Sequence, residues 1–205
     1  MVLAIPFSTL RLVTIDDSLG LPAWKTHAIH ELGYGTNAKT MIAFDGRPWA
    51  AAGSIGVSYS DLGNHQQTWE TNPSGSSGTQ AILTDYASGQ RGAALKPSQL
   101  QAQVATFLAD LDRVWPGAAA AARRDADGHY VAHLEAWPSN PLSRGSYTCY
   151  RPGQFTTIAG LEGTPVGNVF FAGEHANSFY AWQGFMEGAC LSGLDAADAL
   201  WRAYR

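Results

Sequence analysis

Residues 170–189 read FFAGEHANSFYAWQGFMEGA. An apolar run delivers Ala-Gly-Glu-His, crosses a short aromatic and polar loop, and opens a helix whose first turns carry Gly184, Gly188 and Ala189. The crossing sets a lone carboxylate, Glu174, beside a helix start. Gly173 lacks a side chain, so the backbone there can approach a ligand, and Glu174 can accept hydrogen bonds from hydroxyl groups. A helix starting near Gln183 to Met186 turns its free N–H groups and positive dipole end back on the same loop. Farther along, Gly188, Ala189, Ser192, Gly193, Ala196 and Ala197 keep one side of that helix small, which suits close packing on a sheet or a ligand.

Outward from this stretch, NVFFAG at 168–173 reads as a buried strand, and the helix after it as running from about Trp182 to Ala203. Upstream, residues 137–155 are rich in turn formers and aromatics. VLAIP near the start is a β-branched run closed by Pro6, and an apolar strand so close to Met1 is expected to pair within a sheet. LPAWKTHAIHELGYG places Leu21, Trp24, Ala28, Ile29 and Leu32 at helical spacing, an ordinary amphipathic helix with Gly33 or Gly35 as its stop. KTMIAF at 39–44, AILTDY at 81–86 and YVAHLEAW at 130–137 read as strands. Between 98 and 115, Leu100, Val104, Phe107, Leu108 and Leu111 form one helical face behind a Ser98 cap, and 118–124 adds a helical turn or surface loop. Residues 53–79 predict turns and short strands, with NPSGSSG at 72–78 the most loop-like. Strands and helices mix without regular βαβ alternation, which favours an α+β class.

The chain has 205 residues, 45% of them hydrophobic, enough for a substantial core. With 13 basic and 17 acidic residues it carries a net charge of −4 and no dense basic cluster, which argues against nucleic-acid or anionic-membrane partners. The opening residues lack a signal-peptide pattern and no apolar run approaches the roughly 18 to 20 residues that span a bilayer, so a cytoplasmic location is expected. Cys149 and Cys190 match no metal or redox spacing, and no metal site is expected. Abundant Gly (22), Trp (7), Tyr (8) and Phe (8), against 15% charged residues, suit a protein enclosing a flat aromatic ligand, a mix that large mixed α+β domains also show.

Four separated segments in order resemble the flavin-containing amine oxidase family of monoamine, polyamine and L-amino-acid oxidases. They are the strand ending Ala4-Ile5-Pro6; GYGTNAKTMIAF with Lys39; Trp137 followed by Pro141, Gly145 and Tyr147; and VFFAGEHANSFYAWQGFMEGACLSG. Together they resemble the C-terminal half of much longer proteins, and the G-x-G-x-x-G fingerprint of dinucleotide binding is not in this sequence. The resemblance implies a mixed-sheet substrate domain plus the C-terminal strand and helix of an FAD-binding domain, without the N-terminal Rossmann βαβ. In those terms residues 1–165 are mostly the substrate-binding domain, with the 1–10 strand at its boundary, and 166–205 the FAD-contacting strand and helix.

It further implies noncovalent FAD, because Ser146 stands where some members carry a flavin-linking cysteine and Cys149 is out of that register. Trp137, Gly173, Glu174, Gln183, Gly184, Phe185 and Met186 would contact the cofactor, with Glu174 on ribityl hydroxyls and the helix start near the flavin's pyrimidine side. Lys39, Tyr147 and Phe185 would act in catalysis: Lys39 holding a water near the reactive ring nitrogen, the aromatics walling the substrate. Phe185 replaces a tyrosine common in the family, making that wall less polar. His175 is expected to be structural. The implied reaction oxidises a primary amine or amino acid with dioxygen to an imine and hydrogen peroxide. Arg47, Arg144 and Arg151 are candidates for a substrate carboxylate. A second polypeptide would supply the fingerprint half; the competing expectation is an inactive binding or assembly subunit or fragment.

Overall fold

The computed structural model describes residues 1–71, 78–178 and 181–205. The chain forms two compact units, one of residues 1–35 with 140–205 and the other of 36–139. The sequence boundary at 165 therefore falls inside the first unit, because strand pairing draws the N-terminal residues onto the C-terminal ones.

The first unit opens with β1 (Val2–Leu3), a helical turn α1 (Phe7–Leu10) and α2 (Ala23–Glu31). Then comes the second unit: β2 (Ala38–Phe44), the turn α3 (Pro48–Ala51), β3 (Ser58–Tyr59), β4 (Gln67–Glu70) and β5 (Ala81–Ala87). It continues through α4 (Gly89–Ala94), α5 (Leu100–Val114), α6 (Ala118–Ala121) and β6 (Ala132–Ala136). The chain returns to the first unit with α7 (Gln154–Thr157), β7 (Phe170–Phe171) and α8 (Met186–Ala203).

The second unit is a five-stranded sheet in the order β3-β4-β5-β2-β6. Every neighbouring pair with a described register is antiparallel, so the sheet is not the mixed one expected. Alternation decides its two faces. Ile42 and Phe44 of β2 and Ala81 and Leu83 of β5 point into a core closed by Val104, Phe107, Leu108 and Leu111 of α5, with Trp49 and Trp115 buried in it. Lys39, Met41 and Ala43 point to the other, partly exposed face. The helix face predicted for α5 is the one that packs, but Ser98 does not cap it. Pro97–Gln99 form a 3-10 turn, and Gln99 stands at the cap position without a capping side-chain hydrogen bond.

In the first unit β1 and β7 pair in parallel, Val2 opposite Phe170 and Leu3 opposite Phe171. The strand expected near Met1 is thus paired, although both strands are two residues long. Phe7, Leu10, Ala28, Ile29, Leu32, Ile158, Val169 and Phe171 make the core beneath them. The α2 helix departs from a simple amphipathic pattern: Trp24 is exposed while Lys25 is fully buried. The helix of the opening stretch begins at Met186, at the end of the range Gln183 to Met186 expected for its start and four residues after Trp182, because the chain from Trp182 to Phe185 first makes a turn with Gly184 at φ +86°. Among the described residues no helix is long and apolar enough to cross a membrane. Residues 72–77, most of the predicted loop NPSGSSG, and Phe179 and Tyr180 of the opening stretch lie outside the described residues.

Candidate functional site

The first unit contains Gly173, Glu174, Gln183, Gly184, Phe185 and Met186, and of these Gly184 donates to the Glu174 carboxylate. Oε1 of Glu174 accepts from the Thr148 N–H (3.1 Å) and the Thr148 hydroxyl (3.0 Å), and Oε2 accepts from the Gly184 N–H (2.6 Å). A carboxylate offers about four acceptor positions, so among the described residues one on Oε2 is left for a further donor. Tyr147 belongs to the same arrangement. Its carbonyl accepts from the Gly35 N–H at 2.7 Å, and its ring carbon lies 3.5 Å from where a Gly184 side chain would begin.

Gly173 adopts φ +126°, a conformation that L side chains rarely take, and an added Cβ would sit 2.6 Å from the His175 ring. Ser192 of α8 fixes this residue from both sides, its hydroxyl accepting from the Gly173 N–H (2.9 Å) and donating to the Gly173 carbonyl (2.8 Å). Gly188, Ser192 and Ala196 are the buried members of the small-residue face, and Ala196 packs on Phe170 and Ala172. Close packing is what these three do; Ala197 is exposed, and a Cβ on Gly193 would meet open space. At the start of α8 no side chain caps the helix, Phe185 and Met186 are 61% and 88% exposed, and the Trp182 and Phe185 rings meet edge-on at 6.2 Å.

Gln183 is buried rather than presented at the surface: its Nε2 lies within hydrogen-bonding distance of the Tyr150 hydroxyl (3.2 Å), Glu162 Oε1 (3.3 Å) and the His175 carbonyl (3.1 Å). Sequence reasoning missed the groups around it. Glu162 is fully buried, accepting from Tyr150, Gln183, the Gly160 N–H (2.9 Å) and the Ser178 hydroxyl (2.6 Å). Buried Lys25 donates to the carbonyls of Leu161 (2.5 Å) and Glu162 (2.8 Å) and lies 4.0 Å from the Phe171 ring centroid. Burial pushes the Lys25 amine down to about 8, opposed by the nearby Glu162 charge. The only signal in the sequence was a lysine at the wrong phase of the α2 helix.

His175 is 2% exposed and its ring lies 4.5 Å from the Phe7 ring, and among the described residues its Nε2 has no hydrogen-bond partner. Burial and then the charge of Lys25 push its imidazole down to about 4. The unfolded chain, at the ordinary 6.5, takes up the proton first as pH falls. This group's contribution is complete above pH 6.5 and lost progressively toward pH 4, about 3 kcal/mol at roughly 1.4 kcal/mol per unit. His175→Leu is accordingly expected to flatten the fall in urea midpoint between pH 7 and pH 4.5; an unchanged fall would exonerate the imidazole.

Lys39 and Trp137 belong to the second unit. Lys39 pairs across the sheet with Tyr86 and Glu135 on a strand flanked on both sides, so it is not an edge lysine, and its amine lies 5.8 Å from both the Trp69 and Tyr86 ring centroids. Trp137, 37% exposed, begins the 3-10 turn after β6. Arg47 is engaged by Glu70 at 2.9 Å and by the Gly78 carbonyl, whereas Arg144, with φ +54°, and Arg151 are exposed. Ser58 and His65 make a pair that could pass for a nucleophile and its base, with Oγ and Nε2 2.9 Å apart. The direction of the protons forbids it. Thr68 spends its hydroxyl proton on the Gly56 carbonyl, Ser58 therefore donates to Thr68, and His65 must donate to Ser58.

A family model described as flavin containing amine oxidoreductase matches residues 1–201. A putative L-amino-acid oxidase, YobN, of Bacillus subtilis is 30% identical over 203 residues, 96% of this chain and 39% of that protein. Polyamine oxidase 4 of Oryza sativa subsp. japonica is 28% identical over 204 residues, 96% of this chain and 38% of the relative. Among solved structures, a triple mutant of putrescine oxidase matches with TM-score 0.77 at 20% identity, over 98% of this chain and 42% of that one. Cyclohexylamine oxidase from Brevibacterium oxydans matches with TM-score 0.75 at 23% identity, over 97% and 42%. These two likenesses establish the fold, and the chain spans about two fifths of the length of the curated relatives it matches. By the match along nearly all its length, the chain belongs to the flavin-containing amine oxidoreductase family.

Proposed function

We propose that the chain is the C-terminal part of an FAD-dependent amine or L-amino-acid oxidase, and that Glu174 and the first turn of α8 hold one end of the cofactor. One observation carries the reading: a carboxylate already oriented by Thr148 and Gly184 keeps an acceptor position open next to a helix start that no side chain caps. A ribityl hydroxyl suits the open acceptor, and a ring that gains negative charge suits the uncapped N–H groups. The donor set therefore fits a flavin. Bound there, flavin supplies a hydride acceptor for a C–N bond and an electron route to dioxygen, with an imine and hydrogen peroxide as products.

The chain's own residues bind, orient and exclude. Gly173 admits close approach of the backbone, and Gln183, Gly184, Phe185 and Met186 shape the turn that leads into the helix. Tyr147, Phe185 and Trp137 offer aromatic surface that attracts an amine and keeps water away. Exposed Arg144 and Arg151 are free of the carboxylate partner that occupies Arg47, which makes them the better candidates for a substrate carboxylate. Cofactor binding is noncovalent in this reading, with Ser146 in place of a linking cysteine, and the glycine-rich half comes from a second polypeptide.

Lys39 holds a water toward the reacting centre and assists reoxidation. Lys39→Met is expected to keep flavin content and slow reaction with dioxygen at least tenfold in stopped-flow; an unchanged reoxidation rate would remove Lys39 from the mechanism. For the reading as a whole, the chain expressed with and without its genomic neighbour should yield a flavin spectrum and amine-dependent peroxide in at least one preparation. Absence of flavin from both would leave the inactive assembly subunit in its place.

A further inference from the structure

We propose that Glu162 is the positioning residue that holds Glu174 and the start of α8 in place. The proposal rests on the flavin reading above for what that site binds. A carboxylate with no exposure is costly unless each acceptor position is satisfied and a cation lies near. Glu162 meets both conditions, and two of its four donors come from the stretch that leads into α8. Ser178 and Gln183, which donate to its two different oxygens, both lie within the segment separating Glu174 from α8. Gln183 also reaches the carbonyl of His175 (3.1 Å), and its neighbour Gly184 gives Glu174 the 2.6 Å hydrogen bond. Glu162 and Glu174 are thereby joined through two consecutive residues. From the other side Tyr150 holds Glu162 Oε1, two residues beyond Thr148, which gives Glu174 its other two hydrogen bonds. Lys25 closes the arrangement by clamping the carbonyls of Leu161 and Glu162. A carboxylate kept only for packing would not have its partners on both flanks of a second carboxylate.

Glu162→Gln keeps the shape and removes one acceptor. Whichever way the amide turns, its NH₂ faces one N–H donor that cannot accept, from Gln183 or from Gly160, and Lys25 loses its compensating charge. In the full chain, amide hydrogen exchange at Thr148 and Gly184, the two N–H groups that donate to Glu174, should quicken at least tenfold. The double variant Lys25→Met/Glu162→Gln should recover thermal midpoint, because the uncompensated cation is gone, and still exchange fast at both amides. Ile29→Val, which thins the same core without touching the turn, serves as the reference for general destabilisation. Exchange at Thr148 and Gly184 no faster in Glu162→Gln than in that reference overturns the proposal. The preparation that carries flavin is titrated with FAD in parallel, and Glu162→Gln should bind at least tenfold more weakly. If the wild-type chain takes up no FAD, the flavin reading fails, and the exchange rates still decide the positioning role.

Discussion

Glu174→Ala is expected to cost the first unit about 2 to 4 kcal/mol and to abolish flavin retention at the same time. Three donors converge on this side chain, two from Thr148 and one from Gly184, and all three approach a charged acceptor. Hydrogen bonds to charged groups contribute about 1.5 to 3 kcal/mol each when buried. Glu174 is only partly buried, and water can replace some of what is lost, so the sum is set well below three full contributions. Glu174→Gln is the sharper probe. One amide oxygen can serve the Thr148 pair or the Gly184 N–H, while the NH₂ meets a donor at the other end. Urea denaturation of the flavin-free chain gives the structural loss, and flavin absorbance after desalting gives the binding loss. A Glu174→Gln chain that keeps both wild-type stability and flavin would remove Glu174 from the site.

Much of the second unit was legible because its elements obey short periods. The runs at 39–44 and 81–86 read as strands, and the 3.6 period from Leu100 to Leu111 marks the helix face that packs in its core. The candidate site was legible in part. Gly173 and Glu174 stand where the strand and helix pattern implied, and the helix start lies at Met186, the end of the expected range. Lys25 and Glu162 were not legible, since their contacts span 136 and 137 residues for Lys25 and 21 for Glu162 with Gln183. No local period encodes such a pairing. A lysine at the buried phase of α2 registers as a flaw in amphipathicity until its partners are located. Gln183 illustrates the same limit: it sits in the turn before α8, yet its amide points into the protein.

Gly188→Ala and Gly193→Ala, two identical substitutions five positions apart on one helix, are expected to change stability in opposite directions. Alanine is intrinsically the better helix former by up to about 1 kcal/mol. At Gly193 nothing lies within 4 Å of the new methyl, so the gain should appear as roughly 0.5 to 1 kcal/mol in urea denaturation. At Gly188 the methyl would stand 2.1 Å from the Trp182 carbonyl oxygen and 2.8 Å from its carbon. Those are backbone atoms, which cannot rotate away as a side-chain end would, and overpacking of this kind costs about 1 to 3 kcal/mol or more. The retreat would carry Trp182, Gln183 and Gly184 with it. Gly184 would then draw back from Glu174, so Gly188→Ala should also weaken flavin binding, whereas Gly193→Ala should leave it unchanged. Equal signs at the two positions would mean that the turn is not packed against α8 through Gly188. Opposite signs with unaltered flavin binding would detach the turn from the cofactor site while leaving its packing intact.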